Sequence, residues 1–538
     1  MSLSVFIPAL KKSVAFQDDL VKKLDGVTLV QRAINLSIEL GLKPEAIHLI
    51  TDSQEIQLIG KRNKVSVFQD ASLKWSQNDL HSKILDYIGK TSEGDEVLII
   101  LSPYAPLINS KLLENSIYEL LKSRRDILKP IRRVGQTLYS RERISMENIF
   151  LGTRAQEHEV ESSAFTILKR KSLFLKNKKS YSILPWPLDP DFLEIRTYQD
   201  WWVSEKLLQR KRIVFRVIGN NKVGMGHIYR SLSLAHEITD HEVIFVTDND
   251  NEVAVNNIAG YEYRIDVFEK PEMTDRIIEL NPDLLINDIL STRFSDMKKL
   301  KKAGIQMINF EDLGTGAKVA DITINELFDT PLLEHKNILW GHDFYFLREE
   351  FQDARPRSFK NKVESILLLF GGTDHHNLSS YIYSAIRNFC QERHIKIYIV
   401  TGPGYLFYDS LKKHVASEEN VFLTHATDVI SSIMEQCDFA ITSNGRTVYE
   451  LAHMNIPAIV IPQNEREVSH TFAAAKNGFI SAGLFDKDIT KIKVRKLLEK
   501  VVHNHEYRKE LFSKVEQYDF KDNKSKIIRL IHQIIQNS

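Results

Sequence analysis

The residues best suited to chemistry form one short segment, Gly224-Met225-Gly226-His227-Ile228-Tyr229-Arg230. It follows the apolar run 213–217 and precedes an amphipathic run that begins at Ser231. A strand, a glycine-bearing loop and a helix start form a corner that can bind phosphate or sugar, because glycines let a ligand approach the backbone and the helix N-terminus attracts negative charge. Histidine ordinarily titrates near neutral pH and can serve there as a general base. The alternative is a tight strand-to-helix turn in which His227 packs or caps locally.

Three further polar segments downstream each follow an apolar, strand-like run. The residues that we predict to bind substrate in them are Gly371, Gly372, Thr373, Asp374, Asn377, Asn444, Gly445, Thr447, Glu450, Asn464 and Glu465. The glycines and the hydroxyl of the first segment suit a backbone cradle for a diphosphate. A carboxylate one turn inside a helix, as predicted for Glu450, can accept both hydroxyls of a ribose.

Each of these segments also has a purely structural interpretation. Thr373 or Asp374 suits the N-cap of a helix. Thr447 and Glu450 have the spacing of a capping box. The segment with Asn464 is also typical of a solvated polar loop.

The composition excludes several classes of function. The chain has 538 residues, a formal net charge of +1 and two cysteines. No basic excess is available to neutralise nucleic-acid phosphates or anionic lipid, and two cysteines support neither a disulfide framework nor a zinc site. Cys390 and Cys437 are predicted to be buried free thiols, because each borders an apolar segment. Without a leader-like N-terminus or a membrane-length apolar run, we expect a cytoplasmic protein.

Short apolar runs alternate with helical periodicity along the whole chain, which indicates an α/β fold with parallel sheets. The runs lie at 5–8, 47–50, 97–101, 243–246, 284–286, 366–370, 397–400, 439–441 and 458–461. Polar segments near 208–212 and 353–361 divide the chain into three Rossmann-like units, 1–208, 212–355 and 361–538. We assign the last helix, about 524–536, to the third unit and expect it to pack across a domain face. The second and third units would enclose a cleft at the carboxyl ends of their strands.

Residues 212–505 resemble the UDP-sugar hydrolases of pseudaminic acid biosynthesis and the related spore-coat polysaccharide proteins, and more distantly the N-acetylglucosaminyltransferase that makes lipid II. The resemblance rests on several motifs in one order. They are Arg216, Gly224-x-Gly226-His227-x-x-Arg230, Asn287-Asp288, the stretch 340–351, Phe370-Gly371-Gly372-Thr373-Asp374 and Gly445-x-Thr447-x-x-Glu450.

This resemblance implies a GT-B-like fold that needs no metal. UDP would bind the C-terminal half, with Glu450 on the ribose and residues 371–373 near the diphosphate, and the sugar would face His227. Gly224, Gly226, Arg230 and Asp288 join the predicted substrate-binding residues. The sequence departs from the hydrolase pattern at Ile218, where an aspartate is usual, and at 464–467, so sugar identity can differ.

Residues 4–208 resemble the cytidylyltransferases that activate sialic acid and related nonulosonic acids, through the motifs at 7–9, 25–29, 51–56, 101–107 and 193–202. The catalytic parts are missing. No glycine precedes Gly26, although a phosphate cradle needs close backbone approach. Glu194 and Arg196 stand where the family has magnesium-binding aspartates, and a cation there opposes Mg²⁺ binding. Ile108 replaces an arginine.

We therefore predict a degenerate first domain that needs Mg²⁺ only if it is active. Its expected partners are CTP or an acidic sugar, or a second copy of the chain in a homodimer. For the whole chain the prediction is a nucleotide-sugar enzyme that hydrolyses a UDP-linked amino sugar, with His227 as general base and no cofactor. One alternative is a GT-B glycosyltransferase in which His227 deprotonates an acceptor. Others are an active cytidylyltransferase that makes a CMP-nonulosonate, and a non-catalytic binding protein.

Overall fold

The computed structural model describes residues 2–11, 18–72, 78–92, 94–135, 157–174, 181–189, 191–220, 223–427 and 429–536. The chain divides into two compact units, Met1–Arg210 and Lys211–Ser538. The division after Arg210 falls inside the predicted boundary at 208–212.

The first unit is built on a mixed β-sheet. Its strands are β1 (Leu3–Pro8), β2 (Lys23–Leu24), β3 (Val27–Thr28), β4 (Ile47–Thr51), β5 (Ser66–Gln69), β6 (Val97–Leu101), β7 (Ile127–Gly135), β8 (Glu157–Glu161), β9 (Phe165–Lys169) and β10 (Ile183–Pro187). The main sheet has the order β10-β7-β9-β6-β1-β4-β5, with β8 on β7, while β2 and β3 form a separate hairpin. Strands β6, β1, β4 and β5 are parallel, and β9 runs antiparallel to β6.

Helices pack against this sheet. They are α1 (Leu29–Glu39), α2 (Gln54–Arg62), α3 (Asn78–Thr91), α4 (Ser110–Lys122) and α5 (Tyr198–Leu208). Helix α1 begins where the Thr28 hydroxyl accepts the Gln31 N–H at 3.2 Å, and α5 begins with a capping box between Thr197 and Asp200. Such side chains satisfy N–H groups that have no partner inside the helix.

The second unit contains two all-parallel sheets. The strands of the first are β11 (Arg212–Val217), β12 (Glu242–Asp248), β13 (Arg264–Phe268), β14 (Leu284–Asp288), β15 (Gln306–Phe310), β16 (Ile322–Asn325) and β17 (Ile338–Trp340), in the order β13-β12-β11-β14-β15-β16-β17. Its helices are α6 (Gly226–Ala235), α7 (Glu252–Ala259), α8 (Met273–Leu280) and α9 (Phe294–Lys302). Strand β14 is fully buried, as its continuous apolar run predicts.

The second parallel sheet follows the polar segment near 353–361. Its strands are β18 (Ser365–Leu369), β19 (Lys396–Thr401), β20 (Val421–His425), β21 (Phe439–Thr442), β22 (Ala458–Val460) and β23 (Phe479–Ser481), in the order β20-β19-β18-β21-β22-β23. The helices around it are α10 (Leu378–Glu392), α11 (Tyr408–Val415), α12 (Ile430–Met434), α13 (Thr447–His453), α14 (Glu465–Ser469), α15 (Thr490–His503) and α16 (His505–Val515).

The C-terminal helix, α17 (Asn523–Gln536), returns to the first sheet of the second unit. Ile527, Ile531 and Ile534 join the buried cluster of Phe215 and Ile228. Their spacing places them on one helix face. We assigned this helix to the unit 361–538, but its apolar face completes the core of the preceding unit. The chain therefore crosses back to the first parallel sheet at its C-terminal helix.

The predicted α/β class is confirmed, and each of the nine apolar runs contains a strand. Two Rossmann-like parallel sheets in succession are the architecture expected of a GT-B module. Both cysteines are buried free thiols, and burial raises the pKa of Cys390 to about 12. In the described ranges, no helix is long and apolar enough to cross a bilayer.

Candidate active site

The loop between β11 and α6 forms the corner predicted from the sequence. Gly219 is required for packing, because a Cβ there would lie 2.5 Å from Ile228 Cγ1. Gly224 has a φ of +87°, and a Cβ on it would meet no atom within 4 Å. A left-handed residue next to open space suits backbone approach by a ligand. Helix α6 then begins at Gly226 and carries His227 on its first turn.

His227 is oriented by a buried carboxylate at the end of β14. Its Nδ1 lies 2.5 Å from Asp288 Oδ1. An ionised carboxylate can only accept, so Nδ1 carries the proton and Nε2 keeps its lone pair. Nε2 makes no hydrogen bond to any described residue. The arrangement therefore provides a base whose basic nitrogen is available to a ligand.

Arg230 surrounds this pair with further charge. Its Nε donates to Asp288 Oδ2 at 2.9 Å, and its Nη1 donates to Glu311 at 2.6 Å and also to Glu326. Burial by itself would raise the pKa of Asp288, but Arg230 and His227 outweigh that effect and hold the pKa below its usual value. Asp288 therefore stays ionised and keeps His227 in one tautomer.

Arg230 and Asp288 were predicted to contact substrate, yet they are 2% and 0% exposed. Their polar atoms are used by each other, by His227 and by neighbouring residues, including Ser231, whose hydroxyl donates to Asp288 at 3.1 Å. The structure places both residues behind His227, where they position the base rather than line the surface.

Two arginines from the C-terminal half reach the same acidic cluster. Arg446 Nη1 pairs with Glu326, and Arg466 Nη2 lies 3.1 Å from Glu311 Oε2. Burial would raise the pKa of Glu311, but Arg230, His227, Arg466 and Arg446 hold it well below the usual range. Three carboxylates and three arginines thus connect the two halves at the His227 corner. Sequence patterns could not identify this cluster, since its members come from six separate segments of the chain.

The predicted diphosphate cradle is an open glycine turn after β18. Gly371 has a φ of +81°, and a Cβ on Gly371 or Gly372 would meet no atom within 4 Å. A second glycine loop after β19 packs against it, since a Cβ on Gly402 would lie 2.4 Å from Gly372 Cα, and Gly404 N–H donates to Gly372 O at 3.0 Å. We did not predict this second loop, although its Thr-Gly-Pro-Gly pattern after a strand was a usable signal.

Asp374, which we predicted to bind substrate, makes hydrogen bonds to the start of α10. Its Oδ1 accepts the Leu378 N–H at 2.7 Å and its Oδ2 accepts the Ser379 N–H at 2.8 Å. Asp374 therefore caps α10, the alternative that the sequence left open. Asn377 Oδ1 likewise accepts the Tyr405 hydroxyl, and the Thr373 hydroxyl lies 3.3 Å from His375.

Glu450 lies one turn inside α13 and is 6% exposed. Its Oε1 accepts Arg348 Nε at 2.9 Å. No side chain caps α13, which begins at Thr447 after Arg446, so the alternative capping box of Thr447 and Glu450 does not form. The contact with Arg348 uses one oxygen of Glu450 and leaves a second that can accept a ligand hydroxyl.

Asn444 and Asn464 hold the backbone around α14. Asn444 Nδ2 donates to Glu467 O at 2.7 Å, and Asn464 Oδ1 accepts the Glu467 N–H at 3.0 Å as an N-cap. Glu467 Oε2 in turn accepts the N–H of Asn444 and of Gln463. Glu465 is exposed on the same short helix, and a Cβ on Gly445 would meet no atom within 4 Å. Of the substrate-binding residues predicted in these two segments, Gly445 is therefore the one beside open space for a ligand.

A stack of aromatic rings supports the cleft from within the second unit. Tyr449 stacks on Tyr345 at 4.1 Å and on Phe472 at 4.2 Å between ring centroids. The Tyr449 hydroxyl donates to Glu326 O at 3.1 Å. Tyr449 lies on α13, and Tyr345 lies in the segment before β18. The ring contacts and the bond to Glu326 O therefore hold α13 in place beside the acidic cluster.

In the first unit, the position expected to hold magnesium is occupied by protein contacts. Glu194 Oε1 accepts the Ser163 N–H at 2.7 Å and the Ser162 hydroxyl, and Glu194 Oε2 pairs with Arg196 at 2.8 Å. Both oxygens are thus committed within the protein. Residues 12–17, where the glycine-rich loop would lie, are outside the described residues. Within the described part of the chain, no cluster of His, Cys, Asp and Glu could hold a metal ion.

The glycosyltransferase family 28 C-terminal domain matches residues 366–529. An uncharacterized protein of Methanocaldococcus jannaschii is 28% identical over 267 residues, which are 46% of this chain and 54% of that protein, so the chain spans about half the length of this relative. The spore coat polysaccharide biosynthesis protein SpsG of Bacillus subtilis is 25% identical over 48% of this chain and 78% of SpsG. The UDP-2,4-diacetamido-2,4,6-trideoxy-beta-L-altropyranose hydrolase of Campylobacter jejuni is 25% identical over 49% of this chain and 97% of the hydrolase.

Among solved structures, MurG of Acinetobacter baumannii aligns with 60% of this chain and 99% of its own, at a TM-score of 0.45 and 12% identity. A CMP:2-keto-3-deoxy-manno-octonic acid synthetase complexed with CTP aligns with 39% of this chain and 98% of its own, at a TM-score of 0.30 and 9% identity. The domain match covers most of the second parallel sheet and its helices, and the two successive parallel sheets agree with the predicted GT-B architecture.

Proposed function

We propose that the second unit hydrolyses a UDP-linked amino sugar to the free sugar and UDP, in nonulosonic-acid or surface-glycan biosynthesis. The observation that carries the proposal is that His227 Nε2 makes no hydrogen bond to a described residue, while Asp288 holds Nδ1 at 2.5 Å. The UDP-sugar hydrolase of Campylobacter jejuni, whose length is matched almost throughout, supports the choice of reaction.

In this reaction a water molecule attacks the anomeric carbon while His227 Nε2 accepts its proton. The new bond joins the water oxygen to that carbon, and the bond to the diphosphate breaks with its electron pair leaving on UDP. Attack from the face opposite to UDP gives inversion. Backbone at Gly371 and Gly372 would stabilise the diphosphate, and Glu450 would accept the ribose hydroxyls.

This scheme needs no metal, because backbone N–H groups and arginines would stabilise the negative charge that develops on the departing UDP. UDP-sugar is the expected partner of the second unit. For the first unit we propose no nucleotidyl transfer, since the Glu194 carboxylate already pairs with Arg196. Binding of an acidic sugar or CTP, or contact with a second copy of the chain, are the roles proposed for that unit.

A GT-B glycosyltransferase is the second candidate, and the family 28 domain favours it. In that case His227 would deprotonate an acceptor hydroxyl instead of water, with the same donor site.

Release of UDP in the absence of an acceptor distinguishes the hydrolase from the glycosyltransferase. The purified full chain is incubated with a panel of UDP-amino sugars, and UDP and sugar are quantified by mass spectrometry. Hydrolysis predicts equimolar UDP and free sugar, and His227→Gln lowers the rate about 10²–10⁴-fold. No UDP release from any donor, with release restored by a sugar acceptor, would establish the transferase instead.

A further inference from the structure

A cavity of about 510 Å³ lies beside the carboxyl end of β11, outside the contacts described for His227. Its lining includes Arg216, Ile218, Thr247, Lys270, Met273 and Arg293. These residues come from the ends of β11 and β12 and from the loops that lead into α8 and α9. Its volume is typical of a site for a small molecule.

The cavity and His227 occupy opposite faces of one sheet. Side chains alternate along a strand, so Arg216 shares a face with Val214, whereas Phe215 packs in the cluster of Ile228 on the α6 side. On β14 the same alternation places Asn287 towards α9, where it contacts Met297, and Asp288 towards His227. The cavity therefore lies on the other face of the sheet from His227.

Arg216 lines this cavity without a charged partner. Its guanidinium makes no hydrogen bond or ion pair with any residue in the described ranges, and burial lowers the pKa of Arg216. Burial costs the guanidinium its hydration, and Asp296 and Asp248 attract it only from a distance, without an ion pair. Such a side chain persists where a ligand supplies the missing anion.

The nearby carboxylates are engaged elsewhere. Asp248 accepts the Asp250 N–H at 3.0 Å and Asn251 Nδ2 at 2.8 Å. Asp296 accepts Arg293 Nε at 2.9 Å. Of the three cations in the lining, Lys270 pairs with Asp250 and Arg293 pairs with Asp296. Arg216 is thus the lining cation that has no ion pair with a described residue.

We propose that this cavity binds a sugar-sized anion. Arg216 would hold the carboxylate or phosphate group of that anion through a bidentate contact. A planar guanidinium matches both oxyanions. Ile218, Met273 and Pro271 provide apolar surface for the ring of a small ligand, and Thr247 offers a hydroxyl near it. The site is independent of UDP, because it lies on the other face of the sheet from His227.

Calorimetric titration of the full chain tests the site with three probes of similar size: glucuronate, glucose 6-phosphate and glucose. At least one of the two anions should bind with one site per chain, and glucose should not. Binding of glucuronate alone identifies a carboxylate ligand, and binding of glucose 6-phosphate alone identifies a phosphate. The affinity should persist in saturating UDP. Failure of both anions to bind, or their displacement by UDP, would overturn the proposal.

Two variants locate the binding. Arg216→Gln should lower the affinity for the anion at least about tenfold, since a charge-assisted hydrogen bond is lost. Arg264→Gln, at an exposed arginine of β13 paired with Asp266, should leave it unchanged. Equal affinity in Arg216→Gln and the parent chain would contradict the assignment.

A melting experiment separates ligand binding from a structural role. Arg216→Met keeps the aliphatic bulk and removes the unpaired charge, so the Tm without ligand should stay or rise. The increase in Tm that the anion produces in the parent chain should be absent in this variant. A lower Tm of Arg216→Met without ligand would show that Arg216 serves the fold, and would reject the proposal.

Discussion

Two buried carboxylates, Asp288 at the end of β14 and Glu194 after β10, lie at positions where the sequence resembles enzyme sites. Asp288 holds His227 Nδ1, and the chain of contacts ends at a nitrogen with no described partner. Glu194 accepts from Ser162 and Ser163 and pairs with Arg196, so its contacts close within the protein. A charged network supports catalysis only when one of its members remains available to substrate.

The largest expected effect comes from opening the Asp288 network. Asp288→Asn removes the acceptor that fixes the tautomer of His227, so UDP release should fall about 10²–10⁴-fold. Ser231→Ala is the matched control, because it removes one hydrogen bond to the same carboxylate. Steady-state rates for both variants, with UDP affinity measured in parallel, check the prediction. Equal losses in the two variants would mean that Asp288 supports only the fold.

Arg446→Met tests the ion pairs that join the halves of the second unit. The change leaves buried Glu326 with one cation fewer, which should destabilise this unit by about 3–5 kcal/mol. Lys514→Met, which breaks a pair with Glu510 on α16, should cost less than about 1 kcal/mol. Hydrogen-exchange mass spectrometry follows each unit separately. Unchanged exchange in α13 of Arg446→Met would contradict a stabilising pair.

Glu194→Gln makes the corresponding change in the first unit. It should lower the stability of that unit by about 1–3 kcal/mol, because Arg196 loses its charge partner, while UDP release stays at the parent rate. Glu159→Gln, at an exposed position of β8, serves as the control for a neutralised surface carboxylate. Robust formation of a CMP-sugar from CTP and Mg²⁺ by the full chain, lost in Glu194→Gln, would instead show an active first domain.

The smallest expected effect concerns pH. Burial raises the pKa of Asp19 to about 6, although the Tyr104 hydroxyl bonded to it acts in the opposite direction. Because the folded pKa lies above the ordinary value of 3.8, the first unit binds this proton more tightly than the unfolded chain does.

The stability from protonated Asp19 is therefore fully present below pH 3.8 and is lost as the pH rises through about 6. Asp19→Asn should flatten this part of the curve of Tm against pH for the first unit. Tyr104→Phe should retain the slope, since burial is the larger cause. An unchanged curve in Asp19→Asn would show that another group titrates there.

The apolar runs and the boundary near residue 210 could be read from the sequence, because strand burial and helix periodicity are local properties. The glycine turns at Gly224, Gly371 and Gly445 were found for the same reason. Asp374, Asn444 and Asn464 were predicted to bind substrate; the structure shows that they cap helices or hold backbone, and their contact with substrate stays a prediction. Polar residues after strands have both uses, and only the partner distances distinguish them.

The sequence by itself determined an α/β chain whose His227 follows a glycine loop, and it predicts a first domain that lacks the parts for nucleotidyl transfer. The tertiary structure decided which charges meet: Asp288 with His227, Glu326 with Arg446, and Glu194 with Arg196. It also left Arg216 without a hydrogen bond or ion pair to any described residue. Pairings between residues far apart in the chain depend on how strands and helices pack, and no local pattern encodes which side chains will lie within a few ångströms of each other.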